Sequence, residues 1–150
     1  MAKPGCAGEI ADYSTRCYKE GERRVFKTRT FARWSRKAPV ADGVLCRAIE
    51  EMAAGLIDAE LGGHVYKKRV ALPGRGKRGG ARAILGSNLA DRWFFLFGFE
   101  KNERATIELR ELAALQAIAS VLLDLDAAGL ACALDEAELV EICHEEEPAG

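Results

Sequence analysis

The spacing of apolar residues predicts that folded structure begins about two dozen residues into the chain. Residues 1–23 show no sustained period, and we expect a flexible N-terminal extension there. A short strand is predicted at Arg24–Thr28. A helix carrying Phe31 and Trp34 is expected next, and Pro39 ends it.

A second helix is predicted within residues 41–56, because apolar residues recur there on one helical face. Asp42 is its expected N-cap and Gly55 lies just past its end. The period then changes. His64–Leu72 alternates as a strand does, and Pro73–Gly80 is expected to be a loop because glycine and proline dominate it.

Two further strands and a helical region follow. Strands are predicted at Ala81–Gly86 and Arg92–Phe99. The second is apolar on both faces, as a central strand covered on each side would be. Short connections between these strands indicate an antiparallel meander. Helices are expected at Glu108–Leu123 and Ala127–Leu134, and a closing edge strand at Glu138–Ile142.

Helices grouped before and after a run of strands predict an α+β fold. We expect a small antiparallel sheet with the N-terminal helices packed on it and the C-terminal helices after it. The predicted domain covers residues 24–142, between the extension at 1–23 and an acidic tail at 143–150.

The composition is that of one globular domain. The chain has 150 residues, 49% hydrophobic and 30% charged, enough for a core of its own. Its longest apolar runs, such as Trp93–Phe97, are too short to cross a bilayer, and no signal-peptide pattern is present, so a cytoplasmic location is expected. The five cysteines have no metal-ligand spacing, and we expect free thiols in a reducing compartment and no metal site.

Charge is distributed unevenly along the chain. Residues 16–82 carry 17 Lys/Arg against 7 Asp/Glu, whereas residues 105–150 carry one Arg against 11 Asp/Glu. Such asymmetry indicates a polyanionic partner for the basic part. The alternative is a solvated charged surface whose two halves attract each other.

The basic residues of the predicted hairpin are focused on one side. Lys67 and Arg69 share one face of a strand and Lys68 takes the other, while Arg82 lies on the returning strand. Further basic residues of the connecting segment are Arg75, Lys77 and Arg78. A patch of this kind suits phosphates, and it favours an RNA or DNA partner.

The segment EKNER at residues 100–104 follows the buried strand directly. Its polar residues, among them Lys101, Asn102 and Arg104, are expected at the rim of the sheet, where sites often lie. The alternative is a polar loop that caps the next helix. No Ser-His-Asp or Cys-His arrangement and no nucleotide-binding loop is present.

Several segments together resemble the RelE/HigB group of bacterial type II toxins. They are FKTRTFARW, GGHVYKKRV, PGRGKRGG, a following strand with an arginine, RWFFLFGFEKNER and a leucine-rich helix. The resemblance covers residues 25–142. It implies a compact α+β domain that cradles mRNA in the ribosomal A site, with an antitoxin as partner and with no cofactor, membrane or small-molecule substrate.

The reaction implied by the resemblance is attack of a ribose 2′-OH on the adjacent phosphodiester. Carried over by position, Lys67 and Arg69 form the basic pair of the site, and one of them assists proton transfer. Arg82 matches the arginine that clamps the scissile phosphate, and Arg104 matches a second basic position, with Asn102 beside it. The basic residues Lys68, Arg75, Lys77, Arg78 and Lys101 are the expected additional nucleic-acid contacts.

The chain departs from the family pattern at three positions. Asn102 stands where an arginine is expected, Glu108 where a terminal tyrosine is expected, and Ala81 where an aromatic residue often precedes the arginine. These departures leave two alternatives open. One is a ParE-like toxin that poisons DNA gyrase, and the other is a catalytically inactive protein that binds RNA and antitoxin as a co-repressor.

Overall fold

The computed structural model describes residues 23–74, 76–104 and 106–143, without the side chains of residues 76–79. The predicted extension at 1–23 therefore lies outside the described residues except for Arg23, and the acidic tail lies outside except for Cys143. Within the described ranges the chain forms β1 (Arg24–Thr28), α1 (Arg29–Lys37), α2 (Asp42–Ala53), β2 (Ala59–Gly62), β3 (Val65–Leu72), β4 (Gly76–Ser87), β5 (Arg92–Glu100), α3 (Leu109–Leu123), α4 (Ala127–Asp135) and β6 (Leu139–Ile142).

The strands form one sheet in the order β2-β3-β4-β5-β1-β6. Strands β2 to β5 make the antiparallel meander that the short connections predict. Strand β1 lies parallel to β5 and antiparallel to β6, so the first and last strands of the domain are neighbours. The α+β prediction is confirmed, and so is β6 as the closing edge strand.

Helices cover both faces of the sheet. On one face, α1 and α2 bury residues such as Phe31 and Ile49 against Trp93 and Phe95 of β5. On the other face, α3 and α4 pack against residues that include Phe94. Strand β5 is therefore apolar on both sides because both sides are covered, as its sequence predicts.

The prediction of a loop over Pro73–Gly80 is wrong. Strand β4 begins at Gly76, which pairs with Leu72, so the connection between β3 and β4 is only residues 73–75. Gly74 provides the turn with a φ of 78°. Strand β4 extends through the later glycines, but its ladder with β3 is interrupted there, because the register shifts between the pairs Leu72–Gly76 and Val70–Ala81.

Two local predictions also need correction. The N-cap of α2 is Ala41, whereas Asp42 is the first helical residue, and its carboxylate accepts a hydrogen bond from Lys27 Nζ at 2.9 Å. Strand β2 was not predicted, because its four residues, AELG, are too few to show a period and it forms by pairing with β3. Gly55 does follow the end of α2, with a φ of 101°.

The prediction of free cysteines is wrong for the described residues. Cys46 of α2 and Cys143, directly after β6, form a disulfide with Cα atoms 5.5 Å apart. Cys132 is disulfide-bonded as well, and Cys6 and Cys17 lie outside the described residues. Sequence spacing did not reveal the Cys46–Cys143 pair because 97 positions separate the two residues and only the sheet order brings them together.

Candidate nucleic-acid interface

The hairpin of β3 and β4 brings the predicted basic residues together. Arg69 and Arg82 are direct cross-strand partners, and Lys67 is paired with Ile84, two positions along the same ladder. Residues two apart on a strand share a face, and directly paired side chains have Cβ atoms roughly 5 Å apart. Lys67, Arg69 and Arg82 therefore form one group on one face, which we call the cationic patch.

Asp58 lies at the edge of the cationic patch and holds Arg69 in place. Its Oδ2 accepts the backbone N–H of Arg69 at 2.7 Å, and its Oδ1 accepts Nε–H at 3.1 Å. Partial burial tends to raise the pKa of Asp58, but the hydrogen bonds from Arg69 and the charges of Lys68 and Arg69 outweigh it, so the pKa is lowered. The carboxylate thus places a negative charge beside Arg69, which reduces the repulsion between the two arginines paired across the strands.

Arg82 occupies the centre of the cationic patch. It lies on the middle of a central strand, between Arg69 of β3 and Phe99 of β5. Its side chain is half-buried, and its Nη1 donates to the carbonyl oxygen of Ala81 at 3.3 Å. A guanidinium on a rigid central strand is well placed for a fixed planar contact with a phosphate.

A bulge in β5 adds two aromatic rings to this face. The register shifts at Leu96, since Ile84 pairs with Phe97 but Leu85 pairs with Phe95. One extra residue changes the phase of the side chains. Phe97 and Phe99 therefore lie on the face of the cationic patch, with ring centroids 6.3 Å apart.

Arg104 lies against these rings. Its Cζ is 5.3 Å from the centroid of Phe97 and 5.5 Å from that of Phe99. Its Nη1 and Nη2 donate to the two carboxylate oxygens of Glu111 at 2.7 and 3.0 Å. That bidentate bond raises the pKa of Arg104 and lowers the pKa of Glu111.

Glu111 also belongs to the start of helix α3. It accepts the backbone N–H of Glu108 at 2.9 Å, and the two residues form a capping box. One carboxylate therefore links the segment after β5 to the first turn of α3. The alternative of a polar loop that caps the next helix is thus partly correct, because Arg104 of this loop binds Glu111 of the capping box.

Lys101 and Asn102 lie in the exposed turn that follows β5. The backbone N–H of Lys101 donates to the carbonyl oxygen of Gly80 at 3.1 Å, which keeps the turn beside the start of β4. Both side chains are thus at the rim of the sheet, as predicted. Arg75 and the side chains of Lys77 and Arg78 lie outside the described part of the chain.

Lys68 lies on the opposite face, where it is buried under α2. Its Nζ is 2.9 Å from Glu51 Oε1 and donates to the carbonyl oxygen of Leu56 at 3.0 Å. Only 5% of its side chain is exposed. The position of Lys68 thus contradicts its prediction as a nucleic-acid contact, because an amino group held in this way is not presented to a phosphate.

The sequence interpretation missed Asp58, Phe97, Phe99 and Glu111. The pattern Glu108-x-x-Glu111 before a leucine-rich helix was the available signal for a capping box. No sequence signal marked the bulge, so the face of the two phenylalanines was not predictable. Among the described residues, no group of His, Cys, Asp and Glu is arranged to hold a metal ion.

No single helix among the described residues is long and apolar enough to cross a membrane. Helices α3 and α4 pass that test only when taken together, and they are bent by 114°.

A family model described as the RelE toxin of the RelE/RelB toxin–antitoxin system matches residues 23–142. This match identifies the α+β domain as a toxin of a toxin–antitoxin system. The chain therefore belongs to the RelE toxin family, and an antitoxin is its partner. A search of curated proteins finds no significant match. Membership of the HigB branch and a bacterial source stay predictions.

Proposed function

We propose that the protein is a metal-independent endoribonuclease that cleaves mRNA on the ribosome and thereby inhibits translation. The observation that carries this proposal is the direct pairing of Arg69 with Arg82, beside Lys67, on one strand face. Membership of a toxin family supports the same function. The proposal includes a cytoplasmic location, where ribosomes and mRNA are found.

The cationic patch suits the chemistry of RNA self-cleavage. The 2′-oxygen attacks the adjacent phosphorus, the bond to the 5′-oxygen breaks, and a cyclic phosphate and a 5′-hydroxyl result. Negative charge grows on the phosphoryl oxygens during this step, and preorganised donors lower its barrier. We assign that stabilisation to Arg82 because it is central and held on a rigid strand.

Lys67 is the proposed proton-transfer group. A lysine shifts its pKa more readily than an arginine when its surroundings change, so it is the better candidate for general acid–base work. Arg69 is braced by Asp58, and we assign it to phosphate binding rather than to proton transfer. No carboxylate pair or histidine is part of this scheme.

The departures from the family pattern affect this scheme unequally. Ala81 is fully buried against α1 and α2, on the face opposite the cationic patch. The alanine at this position, in place of an aromatic residue, therefore does not alter the proposed site. Glu108 caps α3 and Asn102 is exposed in the rim turn, so neither supplies an evident proton-transfer group.

The test is to add the purified protein to translating ribosomes and to map the 3′ ends of the mRNA. We expect new ends within the coding sequence, and a rate for Arg82→Ala at least about 100-fold lower. Arg110→Ala is the matched control, because it removes the same charge from a side chain 91% exposed on α3. Its rate should equal that of the parent.

Two outcomes would contradict the proposal in favour of an alternative. DNA damage signalling without mRNA cleavage would indicate a ParE-like action on gyrase. Binding of RNA and antitoxin without cleavage or growth arrest would indicate an inactive co-repressor.

A further inference from the structure

The surroundings of Arg104 are unfavourable for a phosphate. Both terminal nitrogens of its guanidinium donate to Glu111, and the charges of Glu108 and Glu103 also act on it. One carboxylate therefore binds this cation directly, and two others act on its charge. A phosphate that approached Arg104 would have to displace Glu111 and would be repelled by the other carboxylates.

The flat face of the Arg104 guanidinium group suits a different kind of ligand. The guanidinium lies over Phe97 and Phe99, and 34% of the side chain is exposed. Glu111 holds the edge of the group, and the two rings support it from below. What remains available to a ligand is a planar, positively charged surface of fixed orientation.

Planar cations of this kind stack with unpaired bases. RNA-binding proteins use aromatic rings and guanidinium planes as platforms for splayed-out bases. Arginine suits the role because its guanidinium is planar, delocalised and weakly hydrated, whereas the lysine ammonium is not. The carboxylates that disfavour a phosphate do not oppose an uncharged base to the same extent.

The platform is also close to the cationic patch. Phe99, which lies under Arg104, is the direct cross-strand partner of Arg82. A nucleotide strand whose phosphate lies on Arg82 would thus pass beside Arg104.

We propose that Arg104, braced by Glu111 over Phe97 and Phe99, is a stacking subsite for an unpaired nucleobase next to the phosphate held by Arg82. This inference depends on the proposed RNA-binding function but not on cleavage. It changes the role that the family resemblance implies for Arg104, from a phosphate contact to a base platform.

The experiment measures binding of a short unstructured RNA by fluorescence anisotropy at several salt concentrations. Arg104→Ala and Arg104→Lys should both weaken binding, by roughly 5- to 100-fold. The slope of log affinity against log salt should stay that of the parent, because no phosphate contact is lost. Arg82→Ala should instead lower the slope by about 0.7.

A scan with RNAs that each lack one base identifies the stacked position without relying on a protein variant. One abasic position should weaken binding to the parent but not to Arg104→Ala. Arg104→Lys with parental affinity, a lowered salt slope for Arg104→Ala, or no sensitive position would each overturn the inference. If the base effect is present but mRNA is not cleaved, the subsite stands and only the nuclease proposal fails.

Discussion

At the scale of single residues, burial separates two neighbouring lysines that look alike in the sequence. Lys67 is half-buried on the face of the cationic patch, whereas Lys68 is buried on the other face against Glu51. Strand alternation predicted this division of faces. It did not predict that α2 would cover Lys68, because the packing of a helix on a sheet depends on the whole fold.

The two lysines should therefore respond differently to the same substitution. Lys68→Met removes the ion pair with Glu51 and the hydrogen bond to the carbonyl oxygen of Leu56, and we expect it to lower the free energy of unfolding by about 2 kcal/mol. Lys67→Met should change stability by less than about 0.5 kcal/mol and should weaken RNA binding. Urea denaturation and RNA binding measure the two effects, and the reverse pattern would show that the faces are assigned wrongly.

The charge pattern of the sequence was sufficient to locate the cationic patch but not its anionic partners. Lys67, Arg69 and Arg82 follow from alternation and from one hairpin. Asp58 binds Arg69 of the patch, and Glu111 binds Arg104 beside it; both carboxylates come from segments outside the hairpin. Local reasoning therefore overestimated the positive charge of this surface.

At the scale of elements, the close approach of α3 to β4 depends on a glycine. A Cβ added to Gly86 would lie 2.8 Å from the Cβ of Ala119 and 3.4 Å from its Cα. Helix α3 must therefore move when this residue is enlarged. Because Glu111 at the start of α3 binds Arg104, the position of this helix on the sheet affects the candidate interface as well as the stability of the fold.

Gly86→Ala should lower the free energy of unfolding by about 1–3 kcal/mol, since the added methyl group overpacks the contact. Gly43→Ala is the matched control, because a Cβ there meets nothing within 4 Å and the residue is helical. It should be neutral or more stable by up to about 0.5 kcal/mol. Equal effects in thermal or urea unfolding would contradict the tight α3–β4 contact.

Asp58 links the segment before β2 to β3, and its lowered pKa makes its contribution to the free energy of unfolding depend on pH. This stabilisation is complete above the ordinary pKa of 3.8 and is lost as the pH falls through the lower pKa of the folded state. The difference in unfolding free energy between the parent and Asp58→Asn should therefore shrink as the pH falls below 3.8. The effect should be smaller in an Arg69→Ala background, and urea titrations at a series of pH values test both expectations.

At the scale of the whole molecule, the sheet order joins the two ends of the domain. Strand β1 pairs with β6, and the Cys46–Cys143 disulfide closes the same region. The sequence predicted most of the elements but neither the parallel pairing of β1 with β5 nor the disulfide. Both are contacts between residues far apart in the chain, which periodicity does not reveal.

The disulfide should stabilise the fold because it closes a long loop in the unfolded chain. For a separation of 97 residues the chain-entropy model gives about 4–5 kcal/mol, and measured effects are often smaller. Under oxidising conditions, the double variant Cys46→Ser/Cys143→Ser should be less stable than the parent by about 2–4 kcal/mol. Equal denaturation midpoints would contradict this contribution, and thiol titration establishes the oxidation state of the purified protein.

The opposite charges of the two halves of the chain have a consequence for RNA binding. If the basic half binds a polyanion, its affinity falls with salt in proportion to the phosphates contacted. If the two halves only attract each other, substituting the basic residues of the cationic patch should not change the salt dependence of RNA affinity.

The most direct test is the salt dependence of RNA affinity for the parent and for the triple variant Lys67→Ala/Arg69→Ala/Arg82→Ala. Loss of three phosphate contacts to a single strand should lower the slope of log affinity against log salt by about 2. An unchanged slope, with the triple variant still folded, would contradict the placement of the RNA phosphates on this strand face.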